Sequence, residues 1–217
     1  MPQVLNYHDA VLYDTDVALF GGCNWLNDNC VNWYFRYLES EVFAGRDELL
    51  FMDPAVVSCM LLQCEEDEEL IDLGRGIKAG ERTHVFIPIN DTEELLSSGS
   101  HWSLLVYERE TGTFKHLDSS NNHNARTARN AAEQFSRLLG KTDMQVVVED
   151  ESGVPQQENG YDCGMYTILI AEWIAGEVVG KRQSGQVAPH LSPKYVAEAR
   201  VQTKALVLQC IQDNGIA

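Results

Sequence analysis

The segment "CGMYTILIAEWIA", from Cys163 to Ala175, is apolar on almost every side of a helical wheel. A helix of that kind has no face to give to water, so other elements must enclose it. The fold therefore has to supply layers around one central helix. Immediately before that helix runs a polar loop, "QQENGYD", that ends at Cys163 and Gly164.

The flanking chain offers the enclosing layers. Asn27 caps a helix with Val31, Tyr34, Phe35 and Leu38 on one face. Asp53 caps another, with Pro54 at its first position. "THVFIPIN", "HWSLLVYE" and "TFKHLD" read as strands, the last two forming a hairpin around "RETG". "NARTARNAAEQFSRLLG" is an amphipathic helix stopped at Gly140, "MQVVVED" is a further strand, and Ser192-Pro193 opens a last helix to about Cys210. Helices at both ends of the chain around a central set of strands give an α+β class. No repeat or Pro- or Ser-rich linker divides the chain, so one domain over residues 1–217 is expected. The run of acids at 65–69 reads as a solvated loop, and second as a contact for a basic partner.

Charge narrows the partners. The chain carries 16 basic and 33 acidic residues, a formal net charge of -17. Such a surface repels nucleic-acid phosphates and anionic membranes, so neither is an expected partner. The N-terminal residues lack the basic and apolar regions of a signal peptide, and no apolar run nears the roughly 20 residues of a membrane span. A cytoplasmic or nuclear location with reduced thiols is the expectation. The six cysteines form no CxxC pair, so neither a metal site nor another cofactor is expected. Most of them read as small core residues. A monomer is the default state.

Cys163 differs by its place. A thiolate, not a thiol, attacks carbonyl carbon, and the first turn of a helix carries about half a positive charge that favours an anion there. Gly164 would let a substrate backbone come close. Asp162 works against the thiolate unless its carboxylate is occupied as the helix cap. A base is needed, and the hairpin favours His101: in odd registers it shares a face with Asp118, which would orient the ring. His116, two residues before Asp118, is the alternative base. Gln157 could donate to the developing oxyanion. Against this stands the plain reading that a cysteine at a helix start is core packing, and that Gln157 is loop polarity.

"WLND" (Trp25 to Asp28), "GSHWSLLVY", "HLDSS" and "QQENGYDCGMY", in this order along the chain, resemble the Ulp/SENP family of ubiquitin-like-protein proteases. The order His, Asp, Cys with a glutamine six residues before the cysteine is that family's; papain-like proteases run Cys, His, Asn. The lack of a long extension and "FIPINDT" look most like the deneddylase branch, which acts on the NEDD/Rub-type modifier. The resemblance implies a single Ulp/adenain-type domain with a central mixed sheet flanked by helices. It implies Cys163 as nucleophile, His101 as base, Asp118 as orienter and Gln157 as oxyanion donor. It further implies Trp102 as the clamp on the modifier's Gly-Gly, and Trp25 and Asp28 as contacts to its tail. Bare glycines fit an aromatic slot that rejects ordinary peptides. The partners implied are a ubiquitin-like modifier and its lysine conjugates, cullins among them.

Three other readings stay open at this level. The same fold could serve SUMO or ubiquitin, since the catalytic residues are shared. A modifier-binding module with weak catalysis, or an acyl transferase built on a related His–acid–Cys fold, would use similar residues. Glu158, beside the glutamine, must point away for Gln157 to work.

Overall fold

The computed structural model describes residues 1–92, 94, 99–141, 148–183 and 187–214. The chain opens with an antiparallel hairpin, β1 (Gln3–Tyr7) and β2 (Ala10–Tyr13), turned by His8 and Asp9 in left-handed backbone. Two helices follow, α1 (Asp14–Leu19) and α2 (Asp28–Tyr37). As the sequence predicts, Asn27 starts α2, its side chain accepting from the Cys30 N–H at 3.1 Å. β3 (Leu49–Phe51) leads into α3 (Pro54–Leu62), where Asp53 accepts from the Ala55 N–H at 2.7 Å and Pro54 occupies the first turn.

The acidic run departs from expectation. Residues 65–69 are all exposed, as expected of a solvated run, but only Glu65 and Glu66 are loop: Asp67–Glu69 form the first turn of α4 (Asp67–Gly76), with Glu66 and Glu69 closing a reciprocal cap. Acids are favoured in a first turn, where the backbone N–H groups are unpaired. Leu70 gives the helix its buried contact.

The centre is a five-stranded mixed sheet. β4 (His84–Asn90), β5 (Trp102–Glu108) and β6 (Thr113–Leu117) form its antiparallel heart; β3 and β7 (Val148–Asp150) add parallel edges, giving the order β3-β4-β5-β6-β7. The β5–β6 turn needs Gly112, whose φ of 69° suits a residue without a Cβ. The strand read over "MQVVVED" survives as β7, while residues 144–147 lie outside the described ones.

Three more helices complete the layers: α5 (Ala125–Leu138), α6 (Cys163–Val178) and α7 (Pro193–Asn214). The sheet divides two cores. On one side Leu104, Val106 and Leu117 meet α2, α6 and α7; on the other Ile87, Leu105, Tyr107 and Phe114 meet α3 and α5. β4 and β5 are buried on both faces, which is why they read as continuous apolar runs. The central position predicted for α6 is observed: Met165, Ile168, Ile170 and Ala171 are all buried. Each such aliphatic side chain larger than alanine contributes about 1.5–3 kcal/mol by leaving water. The result is that α6 is enclosed on all sides from Cys163 to Ala171, with Cys163 fixed at its first residue.

Candidate active site

The β5–β6 register, in which Leu104 opposes Leu117, carried one residue further sets Asp118 against Ser103 and diagonal to His101. The two side chains meet there, His101 Nε2 standing 2.7 Å from Asp118 Oδ1. Asp118 also accepts the backbone N–H groups of Ser120 (2.8 Å) and Asn124 (2.9 Å). Burial raises its pKa, but these bonds and the His101 charge outweigh it and hold Asp118 below the usual carboxylate range. Burial likewise opposes charge on His101, yet Asp118 and the neighbouring Cys163 raise the ring's pKa to about 9. With Nε2 committed to Asp118, Nδ1 is the nitrogen left for Cys163. The Cys163 sulfur stands close enough to the ring to contribute to that raised pKa.

His116 is placed elsewhere. Its Nδ1 faces Asp150 at 3.1 Å and its Nε2 faces the Ser103 hydroxyl at 3.0 Å. Burial is the main cause that lowers its pKa, and no nitrogen is free to reach Cys163. The alternative base is thus walled off behind Asp118.

Two sequence expectations about the nucleophile loop need correction. Asp162 precedes α6, but its side chain makes no capping bond. Its Oδ1 is instead gripped by Arg200 of α7, through Nε at 2.9 Å and a terminal nitrogen at 2.7 Å. Gly164 leaves no space for substrate either: a Cβ there would sit 3.0 Å from Leu26 Cβ. Its bareness lets α6 pack against the start of α2.

Gln157 is anchored before any substrate arrives. Its Oε1 accepts from the Ser119 hydroxyl at 2.8 Å, and its Nε2 donates to the Asn159 carbonyl at 2.6 Å. An amide NH₂ has two hydrogens, so one remains to donate.

A match to the Ulp1 protease family, C-terminal catalytic domain, spans residues 24–204. The chain belongs to the Ulp1 protease family. It is therefore a cysteine protease. Mouse sentrin-specific protease 8 is 33% identical over all of this chain and 97% of its own length. The Arabidopsis thaliana protein named NEDD8-specific protease 1 is 29% identical, over 98% of this chain and 95% of its own. In three dimensions the yeast Ulp1 protease domain, solved in complex with Smt3, matches at a TM-score of 0.68. That match covers 96% of this chain and 88% of that one at 19% identity, which shows the fold.

In this Ulp1-family protease a cleft of about 620 Å³ runs to Cys163, lined by Trp25, Asp28 and Trp102 together with Leu26, Ser58 and Leu62. The three residues read as substrate contacts thus share one groove with the cysteine. Trp102 is buried and donates from its indole to the Leu26 carbonyl at 2.9 Å. Trp25 is 51% exposed and donates to the Gly160 carbonyl at 2.7 Å, tying the cleft rim to the nucleophile loop. Burial, then the nearby Asp53, raises the pKa of Asp28. A second cavity, of about 460 Å³ beside α2 and β3, contains none of the predicted site residues.

Sequence reading missed Asn124 and Arg200. Asn124 bridges the Ile89 and His101 carbonyls and the Ser103 hydroxyl through its Nδ2 (3.2–3.3 Å) while its N–H holds Asp118. Its signal was only a polar residue opening a helix. Arg200 lies on the buried face of α7 beside Val196, Ala199 and Thr203, and a buried arginine there requires a carboxylate partner.

Proposed function

We propose that this protease cleaves after the C-terminal Gly-Gly of a NEDD/Rub-type modifier, freeing lysine conjugates and maturing precursors. Cys163, His101, Asp118 and Gln157 do the chemistry. The observation that carries this reading is the single cleft in which Trp25 and Trp102 lead to the Cys163 sulfur. Similarity over 98% of the chain, at 29% identity, to a protein named for NEDD8 supports the choice of modifier.

The steps follow from the geometry. With a pKa of about 9, His101 is an imidazolium at neutral pH, the charge state that pairs with a thiolate. The Cys163 thiolate adds to the carbonyl carbon of the last glycine, and its oxygen becomes the oxyanion. The remaining Gln157 amide hydrogen, with the N–H groups at the start of α6, stabilises that charge. Collapse breaks the C–N bond as His101 passes its proton to the departing lysine nitrogen, leaving a thioester. Neutral His101 then takes a proton from water, hydroxide adds, and the thiolate leaves with the modifier carboxylate released. Asp118 keeps the ring oriented throughout.

Glycine has no side chain, so the terminal pair passes the Trp102 slot where larger residues would clash. The negative surface suits a modifier tail with a basic residue before its glycines. Incubating a C-terminally extended NEDD8 precursor with wild type and Cys163→Ala tests the reading by mass. Trimming to the Gly-Gly end by wild type alone is expected; trimming by the alanine variant would refute the nucleophile.

A further inference from the structure

Arg200 enters the site from α7 as a buried guanidinium, 38 residues beyond Asp162 in the chain. It donates twice to Asp162 Oδ1 (2.9 and 2.7 Å), once to the Tyr161 carbonyl (3.1 Å) and once to the Leu19 carbonyl (3.0 Å). From Asp162 the network continues. Its Oδ2 accepts from Asn159 Nδ2 at 2.8 Å, and Asn159 Oδ1 accepts the N–H groups of Tyr161 and Asp162 at 3.1 and 3.0 Å. The Asn159 carbonyl in turn receives Gln157 Nε2. One unbroken set of bonds therefore joins α7 to the residue before the nucleophile and to the oxyanion donor.

We propose that Arg200 is a positioning residue for the reaction at Cys163: its fork fixes loop 157–163 in the attacking geometry, and its charge balances that of Asp162, the residue before the nucleophile. The inference rests on Cys163 being the nucleophile. Without Arg200, a buried carboxylate would stand without its counter-charge on the residue next to Cys163, and a nearby like charge opposes ionisation of a thiol. His101 from β5 and Asp118 behind it from β6 also face this corner. Glu158 of the loop acts with Asp162 on Tyr166. Asp16 of α1 and Asp28 of α2 share with Arg200 an influence on Cys30. Acids thus outnumber cations here. The guanidinium offsets the carboxylate of the residue that precedes the nucleophile.

Three variants separate geometry from charge: Arg200→Met, Arg200→Lys and the pair Arg200→Met with Asp162→Asn. Each is followed by kcat and KM on a modifier–lysine conjugate, and by the pH midpoint of Cys163 alkylation with iodoacetamide, read by intact mass. Arg200→Met is expected to lose about 10²-fold in kcat with KM little changed, and to move the alkylation midpoint up by about one pH unit. Arg200→Lys keeps the charge without the fork, so its midpoint stays while kcat falls. The double variant leaves no buried carboxylate unpaired, so it folds even if Arg200→Met does not, and its midpoint returns to that of wild type. Wild-type kcat in Arg200→Lys, or a double variant whose midpoint stays raised, overturns the proposal. Cys163→Ala is assayed alongside: cleavage surviving there defeats the nucleophile assignment, independently of what Arg200 does.

Discussion

His101 and Asp118 meet at 2.7 Å although neither lies within a strand. His101 is the residue before β5 and Asp118 the residue after β6. The hairpin register aims both side chains at the same face, and the buried Asn124 side chain ties the His101 carbonyl to the turn that holds Asp118. The pair is therefore set by backbone pairing, before any substrate contact.

Asp118→Asn is expected to reduce kcat by about 10⁴-fold, because an amide cannot fix the ring and stabilise its charge. The pH profile should change with it. With the pKa of His101 raised from 6.5 to about 9, wild-type activity falls on its alkaline side near that value, as the ring loses the proton it must donate. In Asp118→Asn that limb moves to lower pH. Stability has the same sign: the charged ring's contribution is fully present below 6.5 and lost as pH rises through about 9. Urea denaturation across that window, compared with His101→Gln, reads it directly.

His116→Gln should retain turnover while lowering the melting temperature. Both ring nitrogens already serve Ser103 and Asp150, so its loss removes two hydrogen bonds of a buried side chain at a cost of about 1–3 kcal/mol. A turnover loss as deep as that of His101→Gln would return His116 to the role of base.

Gln157→Ala is expected to cost about 10²–10³ in kcat with KM nearly unchanged, since the donor is used only as the oxyanion forms. Steady-state kinetics on a modifier–lysine conjugate check this. A rise in KM alone would mean that Gln157 binds ground-state substrate instead.

Much of this was legible in the sequence, for identifiable reasons. Asn27, Asp53 and Pro54 mark helix starts through local chemistry, and α6 announces its burial by having no polar face. The apolar runs of β4 and β5 and the "RETG" turn made the hairpin readable. Its parity alone confined His101 and Asp118 to two arrangements. The missed parts depend on long-range contacts. Asp162 looks like a cap from its position, but a helix beginning 31 residues later supplies Arg200. Gly164 looks like an opening for substrate until Leu26, from the segment that leads into α2, arrives. The acidic stretch hid a helix because its charge drew attention from the Glu66–Glu69 cap spacing. β3, of three residues, is too short to give a pattern.

The two cleft tryptophans should separate binding from folding. Trp25 is exposed, so Trp25→Ala raises KM and leaves the melting temperature close to that of wild type. Trp102 is buried against the core, so Trp102→Ala loses about 3–5 kcal/mol of stability as well as activity. Thermal melts beside Michaelis kinetics distinguish the two. Equal destabilisation by both variants would contradict the assigned roles.

The central claim is that Cys163 attacks the Gly-Gly end of a NEDD/Rub-type modifier. Its most direct measurement uses ubiquitin, SUMO and NEDD8, each carrying a thiol-reactive warhead at the C-terminus, with wild type and Cys163→Ala read by intact mass. One covalent adduct is expected, with the NEDD8 probe, and it is absent from the alanine variant. An adduct with SUMO or ubiquitin in its place, or one that persists without Cys163, would contradict the claim.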